Sequence, residues 1–479
     1  MGTALLASLS AWWPEAILSA GALLVLLLGV WTRRAQPTLI GTWATVLGTG
    51  WALWHTQPAT GPDFFYGLII CDGFSFILRW VALATTAIVI LLSTASCEIE
   101  SSVCGEYLGL VLLIGVGLML MAEANHLLMA YVSMELVSLS AYALVGFLPE
   151  SRSAEASLKY LLFGALASGI MLFGMSLLYG VTRSLALPDL LHASAGLHGP
   201  LARAMLVAVA LMLAGLAFKI SLVPFHMWTP DVYEGAPVPV TALLSVGPKA
   251  AGLALLIRIM TALAPAWPSL APVLLVLTVV TMTFGNVVAL VQTNVKRLLA
   301  YSTIGQVGYL LIGLMTGTLE GRVALLVYLV AYLFMNLGAF ACVIAVVNES
   351  GSESLDAFRG LSRRAPGLAL LFALFLLSLT GIPPLLGFFG KFLLFGSAIA
   401  AGQIGLAVAG AVNSALALYY YVNLIRLMYF LPPERETSLV THPALRIALA
   451  VCAAATVWFG LFPGTLLSLL SQSASVKLL

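Results

Sequence analysis

Stretches of roughly 20 apolar residues recur along this chain from one end to the other, each long enough to cross about 30 Å of hydrocarbon as a helix. About fourteen of them begin near residues 14, 38, 71, 105, 126, 153, 201, 239, 271, 298, 321, 367, 402 and 443, with the seventh and twelfth interrupted by proline and glycine. The expected fold is all-α, a polytopic membrane protein of about 14 transmembrane helices. Composition agrees: with 61% hydrophobic and 8% charged residues over 479 positions, a water-soluble fold would lack the polar surface to cover itself.

An even number of spans puts both termini on one side. With the N-terminus outside, Arg33, Arg34, Arg152, Lys296, Arg297, Arg359, Arg363, Arg364, Arg435 and Arg446 face the cytoplasm, and only Arg183, Arg203, Arg322 and Lys477 face outward. Ten against four satisfies the positive-inside bias, so both termini are expected in the periplasm or its equivalent. The basic pair Arg33 and Arg34 follows the first apolar run instead of preceding it, the reverse of a signal peptide, and the first helix is expected to be retained. A net charge of +2 with no basic run gives no sign of a nucleic-acid partner. The cysteines at 71, 97, 104, 342 and 452 have no CxxC or metal-ligand spacing and read as isolated packing residues.

The remaining seven basic residues lie inside spans, and four of these are lysines although the chain has six lysines against fifteen arginines. Lys159, Lys219, Lys249 and Lys391 each sit in apolar sequence, at an insertion cost of about 2.5–3.5 kcal/mol apiece. Burial can bring the pKa of a lysine into the working range, whereas guanidinium stays charged, so lysine can load and release a proton. The bland alternative is snorkelling, which suits Lys159, about two turns from its helix start, better than Lys249 near mid-membrane. Lys219 lies in AFKISLVPFHMWTPDVYEGAPVPV, where Pro224, Pro230, Pro237 and Pro239 are expected to interrupt the helix; Lys391 follows Pro383 and Pro384 in TGIPPLLGFFGKFLLF. Irregular backbone at membrane depth is tolerated where it is buried in protein or lines a wet cavity, and broken helices build ion sites in transporters.

Acidic residues fall in connections apart from Glu135, in the middle of the fifth span within YVSMELVSLSAYALVGF. A buried glutamate beside a movable lysine makes a pair whose separation sets both proton affinities; the alternative is a protonated Glu135 bonded to Ser138. Arg79, Arg258 and Arg426 read as structural or snorkelling charges, and His226, beside Met227 and Trp228, either titrates or caps the break. The order of features repeats over 105–261 and 271–430, five spans apart. That offset implies two inverted five-helix repeats containing broken helices, with three helices in 1–104 ahead of them, the repeats in 105–261 and 262–430, and one helix in 431–479 behind. In the second unit, LLAYSTIGQVGYLLIG carries no carboxylate at the position resembling Glu135.

The strings YVSMELVSLSAYALVGF, AFKISLVPFHMWTPDVYEGAPVPVTALLSVGPKAA and TGIPPLLGFFGKF resemble the subunit N family of antiporter-like subunits in proton-pumping NADH:quinone oxidoreductase, respiratory complex I. The resemblance runs over nearly the whole chain and implies a proton-translocating subunit of a bacterial inner membrane, coupled to quinone reduction elsewhere. It implies catalytic roles in proton translocation for Glu135 and Lys219 as an ion pair, Lys159 as its modulator, Lys249 as the central relay and Lys391 as the exit-side lysine. Family members commonly carry histidine where this chain has Gln306, so water or Tyr309 is expected to bridge there. No dinucleotide fingerprint or metal cluster is present in the sequence; NADH, FMN, iron–sulfur clusters and quinone are expected in partner subunits, which the resemblance names as subunits M, K, J and A of the complex, alongside membrane lipids. A subunit of an Mrp-type Na+/H+ antiporter and a non-pumping membrane scaffold are the alternatives. A solute carrier fits less well, because the polar groups form a linear titratable set and not a pocket shaped to a molecule.

Overall fold

The computed structural model describes residues 8–56, 58, 64–196, 198–433 and 439–476. Arg435 and Lys477 of the orientation argument lie outside the described residues. In chain order the helices are α1 (Trp13–Thr32), α2 (Ala35–His55), α3 (Gly73–Ala95), α4 (Cys104–Glu123), α5 (Leu127–Val145), α6 (Ser151–Thr182), α7 (Leu187–Ala195), α8 (Gly199–Ile220), α9 (Trp228–Gly235), α10 (Val238–Ala262), α11 (Trp267–Ala289), α12 (Val295–Met315), α13 (Leu319–Ser350), α14 (Leu361–Arg364), α15 (Pro366–Thr380), α16 (Leu386–Ala400), α17 (Ile404–Phe430), α18 (Pro443–Leu461) and α19 (Pro463–Ser473). Twelve helices among the described residues are long and apolar enough to cross a membrane. The chain is a multi-span, all-α membrane protein.

Two of the fourteen expected spans take another form. Helix α2 has the length but falls short in apolarity, because threonines recur at 38, 42, 45 and 49 on its buried face. Their hydroxyls donate back to carbonyls of the preceding turn, Thr42 to Thr38, Thr45 to Gly41 and Thr49 to Thr45 at 2.7–2.8 Å, so this polar face packs on α1 with its hydrogen bonds satisfied. The twelfth span is split into the 15-residue half-helices α15 and α16. Gly381 ends α15 at φ +97°, its N–H donating to Leu377 and Ser378, and Pro383 and Pro384 then withhold two further donors. The positive φ is what requires glycine, and a side chain at 381 would also stand in tight contact, 3.1 Å from Lys391 Cδ.

The seventh span departs from the expected broken helix. Helix α8 runs unbroken for 22 residues, and the irregular backbone of 221–227 follows it, after the cap residue Ser221 at φ +63°. Pro230 and Pro239 sit in the first turns of α9 and α10, where a missing N–H is not needed, so only Pro224 and Pro237 lie in non-helical backbone. Val223–Pro224 and Pro383–Pro384 are both cis.

The interior belongs to α10, α12 and α13. The apolar window of α10 is buried along its whole length, against α3, α4, α5, α8, α12 and α13. The rim helices α1, α6, α11, α17 and α18 keep outward rows of large apolar residues, such as Leu162, Leu166 and Phe173 of α6, which suit lipid or a neighbouring apolar surface. Helices α6 and α13, at 32 residues each, are about 48 Å long at 1.5 Å per residue, and exceed the hydrocarbon thickness unless tilted.

Candidate functional site

Three lysines are buried in this bundle without a carboxylate within 4 Å. Lys219, Lys249 and Lys391 are 1%, 1% and 3% exposed, and no ion pair among the described residues includes any of them. An uncompensated buried ammonium costs several kcal/mol, so each site must be read from its neutral partners.

Lys219 lies in the last turn of α8, where the free carbonyl ends of a helix favour a cation. Its Nζ donates to Ser138 Oγ of α5 at 2.9 Å. Glu135, one turn earlier on α5, is only half-buried and accepts a hydrogen bond from Ser168 of α6. The Glu135–Lys219 ion pair implied by the resemblance is therefore not a direct contact: Lys219 donates to Ser138, a turn along α5, and Glu135 accepts from Ser168 on the neighbouring helix.

Lys249 is the twelfth residue of the 25-residue α10, and its Nζ has no hydrogen-bond partner. It lies over the rings of Trp228 and Tyr233 of α9, 4.6 and 5.3 Å from their centroids, a contact that supports a cation by about 0.5–2 kcal/mol. Gly252, one turn on, lets α8 approach: a Cβ there would meet Ile220 Cγ2 at 2.6 Å and Lys219 Cγ at 3.8 Å. The backbone of α10 thus brings Lys249 and Lys219 to one helix contact.

Lys391 of α16 folds back onto the split span. Its Nζ donates to the carbonyls of Leu379 and Thr380 at 3.1 and 3.0 Å and to Ser414 Oγ at 3.2 Å, and it stands 4.1 Å from the Tyr309 ring centroid. The carbonyls left free where α15 ends are its ligands, as expected at a broken helix. Gln306 of α12 shares one of them: its Nε2 donates to Leu379 O at 3.3 Å while its Oε1 accepts from Tyr328. Tyr309 thus faces Lys391, and Gln306 reaches the same carbonyl.

Between Lys249 and Lys391 lies a belt of buried hydroxyls and amides that sequence reading passed over. Tyr332 donates to Thr303 at 2.9 Å, Ser302 and Tyr421 share a bond of 2.5 Å, and Asn286 joins Tyr309, Asn413 and Tyr420 at 3.0–3.3 Å. Hydroxyls both donate and accept, so such a belt can relay a proton without titrating. Its signal in the sequence is the polar run YSTIGQVGY inside an apolar span, of which Gln306 and Tyr309 alone stand out as candidates. His226 is 7% exposed, with Nδ1 unpartnered and its ring 4.6 Å from Phe284.

Lys159 stands apart. It is 41% exposed and pairs with Glu155 at 2.8 Å and Asp231 at 3.0 Å. Asp231 leads into a chain of ion pairs: Arg297 holds Asp231 and Glu234, Arg152 holds Glu234 and Glu353, and Glu353 reaches Lys296. The chain borders a polar cavity of about 830 Å³ lined by Glu98, Arg152, Glu234, Asn294, Lys296 and Glu353. Lys296, expected in a cytoplasmic connection, is in fact 2% exposed, with Nζ also donating to Ala236 O at 2.8 Å. Burial opposes ionisation of Glu353, but Lys296, and after it Asn294 and Arg152, hold its pKa below the usual value; burial pushes Glu98 up, against Lys296 and the Val238 N–H. One eight-residue helix, α9, thus carries Asp231 and Glu234 into the ionic chain and Trp228 and Tyr233 onto Lys249.

One further expectation needs correction and another divides. Glu135 is not alone among acids within the bundle: Glu15, Asp72 and Glu123 are 0–2% exposed. Of the two readings open for Arg79 and Arg258 the structural one holds, since they are 1% and 0% exposed and pair with those acids. Sequence could not show this, because the partners lie 64 and 186 positions away.

The model of the NADH:quinone oxidoreductase/Mrp antiporter transmembrane family matches residues 124–417. The chain belongs to this family. It is 43% identical to NADH-quinone oxidoreductase subunit N 2 of Sorangium cellulosum, covering 98% of both chains. Among solved structures it is 35% identical to a chain of respiratory complex I from Thermus thermophilus, with a TM-score of 0.81 over 95% of this chain and 98% of that one. A chain of the Mrp complex from Dietzia shares the fold, with a TM-score of 0.83 over 97% of both chains at 23% identity. The chain is an antiporter-like membrane subunit of the subunit N kind, and the matched segment contains Glu135, Lys159, Lys219, Lys249 and Lys391.

Proposed function

We propose that this chain translocates protons as a membrane subunit of an NADH:quinone oxidoreductase, along an axis from Glu135 and Lys219 through Lys249 to Lys391. The observation that carries the reading is how charge is distributed. Buried arginines are given carboxylates, whereas Lys219, Lys249 and Lys391 are given hydroxyls, carbonyls and aromatic faces. A lysine held by neutral groups can release its proton without abandoning a buried counter-charge. A scaffold would gain nothing from that arrangement.

Helix α9 is the coupling element in this reading. Movement in the ion-pair chain at Asp231 or Glu234 shifts the rings that support Lys249. The cavity holds Arg152 and Lys296, members of the expected cytoplasmic set, so it opens to the cytoplasm with both termini opposite. The repeats over 105–261 and 262–430 are inverted copies, one ending after the irregular segment 221–227 and the other containing the split at 381–385. Electron-transfer groups and quinone belong to partner subunits.

The test is proton pumping by membrane vesicles carrying Lys219→Ala, with assembly and NADH-driven quinone reduction followed in the same preparation. The complex is expected to assemble while pumping and turnover collapse. Unchanged pumping and turnover would show that Lys219 is no carrier.

A further inference from the structure

At the opposite end of α10 from the ionic chain, four helices bring five charged side chains together out of reach of water. Glu15 comes from the first turn of α1, Asp72 caps α3, Arg79 lies on α3, Glu123 ends α4 and Arg258 lies near the end of α10. All are 0–2% exposed. Among the described residues this cluster holds three carboxylates against two guanidiniums.

The geometry says which carboxylate is surplus. Arg79 closes a fork on Glu15, Nε to Oε1 at 2.8 Å and one terminal nitrogen to Oε2 at 2.6 Å. Arg258 closes a second fork on Asp72, at 2.6 and 3.2 Å, and Asp72 also accepts from the Ser75 N–H at 2.8 Å. Forked guanidinium–carboxylate pairs are the strong form of this interaction. Glu123 has no fork. Its Oε1 stands 3.0 Å from Arg79 Nε, which already donates to Glu15, and accepts only the weak Cys71 thiol at 3.6 Å; its Oε2 is buried without a hydrogen-bond partner.

An ionised carboxylate with one oxygen orphaned in such a place is costly, and the usual resolution is to become neutral. We propose that Glu123 is a proton-binding site separate from the lysine axis, holding a proton at neutral pH as a carboxylic acid. The proton rests on the carboxyl that neither guanidinium forks, and Glu15 and Asp72 remain the ionised partners. The site is tied to α10, because Arg258 Nε donates to the carbonyl of Ala122, the residue before Glu123, at 2.9 Å. Loading or unloading Glu123 therefore changes the charge beside the helix that carries Lys249.

The experiment is infrared spectroscopy of the assembled complex with glutamate isotope-labelled at the side-chain carboxyl, comparing wild type, Glu123→Gln and the exposed control Glu320→Gln at neutral pH in sodium-free and sodium-containing buffer. A carboxylic-acid C=O band that shifts with the label, survives Glu320→Gln and is lost in Glu123→Gln, in both buffers, is the expected result. Because the amide mimics a neutral acid, Glu123→Gln should also assemble to within about twofold of wild type. A band unchanged by Glu123→Gln, or one that vanishes in sodium, would overturn the assignment, the latter by making the ligand a metal cation. Failure of Glu123→Gln to assemble where Glu123→Asp succeeds would overturn it too, by showing that the ionised form is needed.

Discussion

Replacing Lys249 by methionine should leave the protein about as stable as before, or more so, while abolishing proton translocation. Methionine has nearly the shape of the lysine stem and fills an irregular site well. Lys249 Nζ makes no hydrogen bond, so nothing is orphaned when it goes. What is lost is the contact with Trp228 and Tyr233, about 0.5–2 kcal/mol. What is gained is relief from burying an ionisable amine, and replacing buried charge by fitted apolar groups stabilises by about 1–4 kcal/mol. The net change runs from about 1 kcal/mol against the variant to about 3.5 kcal/mol in its favour. Arg79→Met is the matched control, since it strips the guanidinium from Glu15 and Glu123 and should destabilise by about 3–5 kcal/mol. The assay is thermal unfolding of the solubilised complex, followed by tryptophan fluorescence, beside NADH-driven pumping in vesicles. A Lys249→Met protein as destabilised as Arg79→Met would refute the claim that this lysine lacks a structural partner. Full pumping would refute its place in the relay.

Other positions test separate links. Gly252→Ala places a methyl 2.6 Å from Ile220 Cγ2, so it should cost about 1–3 kcal/mol by overpacking and lower pumping by spreading α8 from α10, read as a lower unfolding temperature and a lower pumping rate. Gln306→His adds a titratable ring in reach of Leu379 and Tyr328; pumping should persist, with a pH profile that gains an inflection near neutrality. Glu353 has its pKa lowered from 4.5, so its stabilising contribution is complete above that value and is lost as pH falls through the lowered one. Glu353→Gln should accordingly flatten the fall in unfolding temperature on acidification, and an unaltered acid limb would count against the Lys296–Glu353 contact as its source.

Sequence alone determined that this chain lives in a bilayer, because the length and apolarity of its segments leave no other solvent. It also located Lys219, Lys249 and Lys391, because a lysine in an apolar run is legible without any knowledge of its neighbours. The breaks near Pro224 and Pro383 were visible for a similar local reason, since proline and glycine act on their own backbone. Only the tertiary structure decided what those residues touch. Lys219 bonds Ser138 and not Glu135, α9 sets two rings over Lys249, and Lys391 turns back onto carbonyls of its own split span. The same holds for Lys296, which counts as a loop charge in sequence and is buried against Glu353 in space. Arg79, Arg258, Glu15, Asp72 and Glu123 were each visible, but their neutralisation was not. Pairing depends on distance through folded space, and helices far apart in the chain supply both halves of each pair.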